Sequence, residues 1–256
     1  VDPNILAHGH LITQDIGISA AVVVNLYFVW KFLEKPSARS LALAGITFGI
    51  ALVTKFSAPL LLAVYAILIA YRSLKGEREE NAGGLSGGGY KIGGFASRLW
   101  SYALPFSIIL AIGLAVVYLA YSINMLNMPI DAQKDLIAKS LPADAPFIAS
   151  LAETGLRPFV QFLLGLNMVG NHVAAGQKVY ILGKLAKGVR YYYPLAFAIK
   201  STIPSLLLIL LALVFGRRLR SKNRLAEVAL LGGALVFLIA ATLGNLDLGI
   251  RYILPF

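Results

Sequence analysis

Cysteine is absent from the 256-residue chain, which excludes disulfides and thiolate metal sites and leaves the redox compartment unreadable. Charge is scarce as well: 14% of residues are charged, against about 25% in soluble domains. Acids are rarer still, 12 against 23 Lys and Arg. A soluble protein with a large core fits that balance poorly. A nucleic-acid surface would need its basic residues gathered on one solvated face, whereas these lie between apolar blocks. The Gly-rich stretch NAGGLSGGGYKIGGF (81–95) lacks the Gly-Lys-Ser/Thr ending of a phosphate-binding loop and reads as a flexible linker. No internal repeat is evident, nor a basic segment leading into a signal-peptide cleavage site. With Val1 at one end and Phe256 at the other, the chain is expected to be an internal piece of a longer membrane protein.

What is abundant is long apolar sequence. Hydrophobic residues make up 58% of the chain and come in blocks near the roughly 20 residues that a helix needs to cross a bilayer. Six spans are predicted, at about 16–33, 40–54, 58–72, 102–122, 195–215 and 226–244. The second and third are short and flank TKFSAP, a tight hairpin. Three connections are basic: Lys31, Lys35 and Arg39; then Arg72, at a span end, with Lys75, Arg78, Lys91 and Arg98 in the loop over 73–101; then RRLRSKNR at 217–224. Six alternating spans place all three on one face, the cytoplasmic one by the positive-inside rule. The opposite face then receives four separated segments: the opening stretch through Asp15, the TKFSAP turn, the 123–194 loop, and NLDLGIRYILPF. In the 123–194 loop, segments 131–141 and 146–168 carry apolar residues at helical spacing, and PFVQFLLGLNMVG fits a helix lying in the interface. A solvated loop with incidental amphipathicity fits the same pattern.

Several polar groups fall on that face. Asp15, just before the first span, suits a helix cap or an active-site acid. A helical 4–15 segment would put Asn4, His8 and Asp15 on one side, and an extended one would pair His8 with His10. His8, His10 and Asp15 form a weak metal-binding set, since H-x-H without further ligands is unspecific; no divalent metal is required by the sequence. Lys55 ends a span and either snorkels to headgroups or acts in a site. Lys200 lies about one turn into an apolar run, where an unpaired ammonium is costly, so a cavity or a partner is expected. Arg251 adds a guanidinium suited to phosphate oxygens, with Asp247 as a candidate partner. Three cations and one acid at one surface suit a phosphorylated lipid.

At these residues a resemblance enters. DPNILAHGHLITQD followed by LALAGITFGIALVTKFSAPLLL resembles the polytopic glycosyltransferases of family 39, among them protein O-mannosyltransferases and lipid A aminoarabinose transferases, all of GT-C fold. VYILGKLAKGVRYYYPLAFAIKSTIP looks like the loop and span entry of prokaryotic members, and GNLDLGIRYILPF like their Asn/Gly/Arg/Pro loop. The resemblance implies an all-α polytopic bundle, with residues 1–256 part of one transmembrane glycosyltransferase domain in the plasma (inner) membrane. It also implies a polyprenyl-phosphate sugar as donor and a protein or glycolipid acceptor. Asp15 would then be a supporting acid or orient acceptor or sugar, and Lys55, Lys200 and Arg251 would hold the lipid phosphate. His8, His10, Tyr180 and Tyr252 join them as substrate-contacting candidates. The family's main catalytic acid has no counterpart in this sequence. Tyr252 stands where relatives carry His, and Lys184 follows YILG where an acid is expected.

The expected function is therefore inverting sugar transfer at the extracytoplasmic face. A secondary transporter or lipid flippase competes, because an intramembrane Lys and paired short spans also suit discontinuous transport helices. A noncatalytic membrane subunit is the third reading.

Overall fold

The computed structural model describes residues 14–75, 95–140, 150–216 and 223–245. Helices dominate, as the apolar blocks imply. The first hairpin is α1 (Gln14–Glu34), α2 (Ala38–Thr54), a 3₁₀ turn (Ala58–Leu60) and α3 (Leu61–Lys75). Two helices follow in near continuity, α4 (Phe95–Ser101) and α5 (Ala103–Asn124). Beyond them come α6 (Ile130–Ser140), α7 (Arg157–Ala175), a hairpin of β1 (Lys178–Ile181) and β2 (Lys184–Lys187), α8 (Tyr192–Lys200), α9 (Ile203–Phe215) and α10 (Arg224–Leu243). Among the described residues four units are long and apolar enough to cross a bilayer: Gln14–Glu34, Ala58–Lys75, Phe95–Asn124 and Arg224–Leu243. At 17 residues α2 is shorter, about 26 Å at 1.5 Å per residue, and it packs between α1 and α5. The protein is an all-α, multi-pass membrane protein with one small β-hairpin.

One span differs from expectation. The run read as continuous over 195–215 breaks into α8 and α9, which meet at 117°. Ser201 and Thr202 are extended (ψ 147° and 145°). Pro204 has no N–H to return to the carbonyl of Lys200, so α8 cannot continue through it. No residue of α9 is buried, and Leu213 and Leu208 are 78% and 67% exposed. A helix apolar all round is at home only in an apolar surround.

Two devices hold the spanning helices. The first is close approach: Gly45 and Gly49 on α2 face α5, where a Cβ at Gly49 would lie 2.5 Å from Val116 Cβ and 2.7 Å from Gly113 O. Small residues four apart let helix backbones touch and gain packing that lipid cannot supply. The second is a buried polar knot. Asn25 Nδ2 donates to Ala44 O (3.0 Å) and to Thr47 Oγ1 (3.2 Å), and Tyr65 Oη donates to Asn25 Oδ1 (2.6 Å). Together these bonds tie α1, α2 and α3, and Asn25 is fully buried. Asn25→Leu removes all three bonds and strands the Tyr65 hydroxyl in an apolar core. Thermal unfolding in detergent is expected to show a loss of about 1–2 kcal/mol, with Tyr65→Phe losing less.

The helix ends that adjoin the basic connections meet: the C-termini of α1 and α3 and the N-terminus of α10. Arg72 Nη2 donates to Leu33 O (2.7 Å), and Trp30 Nε1 donates to Oδ1 of Asn223, the N-cap of α10 (3.3 Å). Asn223 Nδ2 in turn donates to Glu34 Oε1. Lys31 and Lys75 lie over the rings of Tyr27 and Tyr71. At the other end, α6 and α7 form a small cap with its own core of Ile137, Ala152, Val160 and Leu164. Arg157 staples it: its Nε donates to Gln133 Oε1 (2.7 Å) and its Nη2 to Met128 O (2.5 Å). Lys134 pairs with Glu153 at 2.6 Å on the cap surface; the bond lowers the carboxyl's pKa and raises that of the ammonium.

Candidate functional site

Asp15 lies in the first turn of α1 and Lys55 is the C-cap of α2. The tight Glu34–Ala38 connection makes α1 and α2 antiparallel neighbours, so the start of one meets the end of the other. Lys55 Nζ donates to Asp15 Oδ1 at 2.6 Å, with side chains only 17% and 8% exposed. Each charge also suits its helix end, the carboxylate at an N-terminus and the ammonium at a C-terminus. Ser19 Oγ donates to Asp15 O at 2.6 Å, closing the first turn below the pair. The capping reading of Asp15 is thus refined: its side chain crosses to a neighbouring helix.

The cap packs beside this pair. Phe56, next to Lys55, stacks on Phe162 of α7 with centroids 5.7 Å apart. Its ring fills the space above Gly165, where a Cβ would collide with Phe56 Cζ. Tyr121 meets Phe162 edge-on at 5.7 Å, and Tyr118 packs on Phe159 at 5.3 Å. Tyr118 Oη donates to Gly155 O at 3.1 Å. The aromatic wall beside the pair therefore comes from the TKFSAP turn, the end of α5 and the helix read as interfacial. Farther along, Gln177 N donates to Asn245 O at 3.1 Å, which seats the β-hairpin against the end of α10. Segments from residues 15, 55, 121, 162 and 245 thus gather at the end opposite the basic connections.

The sequence-predicted residues fall into three groups. Asp15 and Lys55 are joined. Tyr180 is on β1, 73% exposed, and Lys200 ends α8 at the bend, exposed. His8, His10, Arg251 and Tyr252 lie outside the described residues, as do Asn4 and Asp247. Among the described residues no three His, Cys, Asp or Glu side chains cluster. The metal reading, which rests on His8 and His10, therefore involves residues outside the described set. Sequence reasoning missed the aromatic partners Phe162 and Tyr121. It also missed Gly165, whose only sequence signal is a glycine inside an amphipathic helix.

The pair combines a carboxylate able to orient or accept a hydroxyl proton with an ammonium able to offset negative charge. Both sit in a site mostly closed to water, where such interactions are stronger than in solvent. Comparison with curated proteins and with solved structures gives no match. Residues 1–79 match the profile of a family described as dolichyl-phosphate-mannose-protein mannosyltransferase. That stretch contains Asp15, Lys55 and the turn between α2 and α3; together with the spanning helices, the match supports a membrane glycosyltransferase of the GT-C type.

Proposed function

We propose that the chain forms part of a membrane glycosyltransferase of family 39, of the prokaryotic kind. It moves a sugar from a polyprenyl-phosphate donor to an acceptor hydroxyl at the extracytoplasmic face, with inversion. The observation that carries this reading is the Asp15–Lys55 pair at 2.6 Å, inside the stretch with the family match and at the end away from the basic connections. A lipid-linked donor keeps its phosphate at headgroup depth, where the ends of spanning helices lie. In a single displacement the acceptor oxygen attacks the anomeric carbon and its proton passes to a carboxylate base. The bond to phosphate breaks, and polyprenyl phosphate leaves with an added negative charge. Asp15 orients the acceptor or sugar, or assists that base. Lys55 holds Asp15 in place and contributes positive potential, while Lys200 and Arg251 hold the leaving phosphate.

The test is Lys200→Ala and Arg251→Ala in the full-length protein, assayed with a polyprenyl-phosphate sugar. Loss of one phosphate-holding cation is expected to lower kcat/KM about 10²-fold. Unchanged turnover and donor affinity in both variants would remove the phosphate assignment.

One observation favours a second reading. The 117° break between α8 and α9, with Lys200 beside it, has the form of a discontinuous helix at a transport site. Uptake into proteoliposomes without glycosidic product would favour a transporter.

A further inference from the structure

The β-hairpin carries an arrangement that water alone does not explain. Register pairs Lys178 with Lys187 and Tyr180 with Leu185, so these four side chains share one face. Like charges directly opposite each other destabilise a two-stranded ribbon, and such a ribbon is marginal in water even without them. The apolar members are not sheltered either: Tyr180 and Leu182 are each 73% exposed and Leu185 is 65% exposed. Lys184, paired with Ile181 on the other face, and Arg190 add further positive charge, and no acid occurs between Glu153 and Glu227. Among the described residues no carboxylate pairs with Lys178, Lys184 or Lys187.

The position of the hairpin decides what could cover it. Its base is held by the Gln177–Asn245 bond, two residues past the end of spanning helix α10. Asn245 also fits between Gly176 and Gly188, whose φ of 64° and 63° would resist a side chain. At Gly188 a Cβ would sit 2.8 Å from Asn245 Oδ1. Tyr191, 55% exposed, follows Arg190 just after the hairpin; tyrosine collects where headgroups meet hydrocarbon. The hairpin therefore lies at headgroup depth and not far out in solvent.

We propose that this hairpin is a contact site for an anionic bilayer surface. Lys178, Lys184 and Lys187 meet lipid phosphates, and Tyr180, Leu182 and Leu185 enter the headgroup layer. Lipid phosphate between Lys178 and Lys187 turns their repulsion into a shared attraction, and the apolar side chains leave water. The inference is independent of the catalytic reading, and its readout is not activity.

These 256 residues have no cysteine, so Leu182→Cys, with any cysteine elsewhere in the full-length protein replaced by Ser, supplies a single labelling position for an environment-sensitive fluorophore. The full-length protein is reconstituted into phosphatidylcholine vesicles with and without phosphatidylglycerol, and quenching by aqueous iodide is measured. Protection is expected with phosphatidylglycerol and much less without it. In the Lys178→Gln, Lys184→Gln, Lys187→Gln background protection falls, by about fivefold in membrane-bound population per lysine removed. The corresponding Lys→Arg triple variant keeps it, which separates charge from misfolding. Equal quenching in both lipids, or protection that survives the Gln triple variant, overturns the proposal. So does protection produced by inorganic phosphate in phosphatidylcholine vesicles, which would make the hairpin a site for soluble phosphate.

Discussion

Lys55→Met is expected to destabilise the protein by about 3 kcal/mol and to abolish transfer activity. The cost comes from what is left behind: Asp15 keeps a carboxylate in a site where its side chain is only 8% exposed, and breaking a buried pair by removing one partner costs about 3–5 kcal/mol. The lower end applies because Lys55 retains some exposure. Asp15→Asn removes the opposite charge and is expected to destabilise as well, since the 2.6 Å ion pair is lost. Combining Asp15→Asn with Lys55→Met removes both charges, and most of the stability should return, because a buried pair exchanged for uncharged groups is often nearly neutral. Activity should not return with it. That divergence separates a structural pair from a chemical one: recovery of both properties would assign it to helix packing alone. Thermal unfolding in detergent and donor turnover, measured on the same three variants, resolve the two.

The second large effect is expected at Gly49. A Cβ added there would lie 2.7 Å from the carbonyl oxygen of Gly113, which no side-chain rotation can move. Gly49→Val must push α2 from α5, and overpacking of this kind costs about 1–3 kcal/mol, here at the upper end. The displaced α2 would also carry Lys55 at its C-terminus away from Asp15, so activity should fall with stability. Gly17 is the control. Among the described residues a Cβ there meets only Thr54 Cγ2 at 3.4 Å, an ordinary contact, and Gly17→Ala in a helix interior should be neutral or slightly stabilising. Melting curves of the two variants side by side check the contrast; equal melting temperatures would show that α2 and α5 do not depend on close approach.

These effects also mark where sequence was informative. Helix positions were legible because lipid demands apolar runs of fixed length, and α1, α3, α5 and α10 fall within a few residues of expectation. Charge alone leads to the expectation that the basic connections share a face; the described residues give contacts among the adjoining helix ends, Arg72 to Leu33 O and Trp30 to Asn223. Asp15 and Lys55 were each identified, but not their bond. They are 40 residues apart, and the rotation of α1 against α2 is set by Asn25, Thr47 and Ala44, whose pairing no local pattern reveals. The bend before α9 had a signal in Pro204, outweighed by the length of the apolar run. The β-hairpin was missed because each strand is four residues long, too short for alternation to stand out. Gly45 and Gly49 form a G-x-x-x-G spacing that sequence does display, and its partner Gly113 could be located only in three dimensions.

The most direct measurement uses sealed, right-side-out vesicles of the full-length protein loaded with polyprenyl-phosphate sugar and supplied externally with an acceptor that cannot cross the bilayer. The account predicts glycosylated acceptor outside with the unaltered protein and none with the Asp15→Asn, Lys55→Met pair, despite its restored stability. Product at the unaltered rate from that doubly substituted protein, or product only after the vesicles are opened, would contradict it.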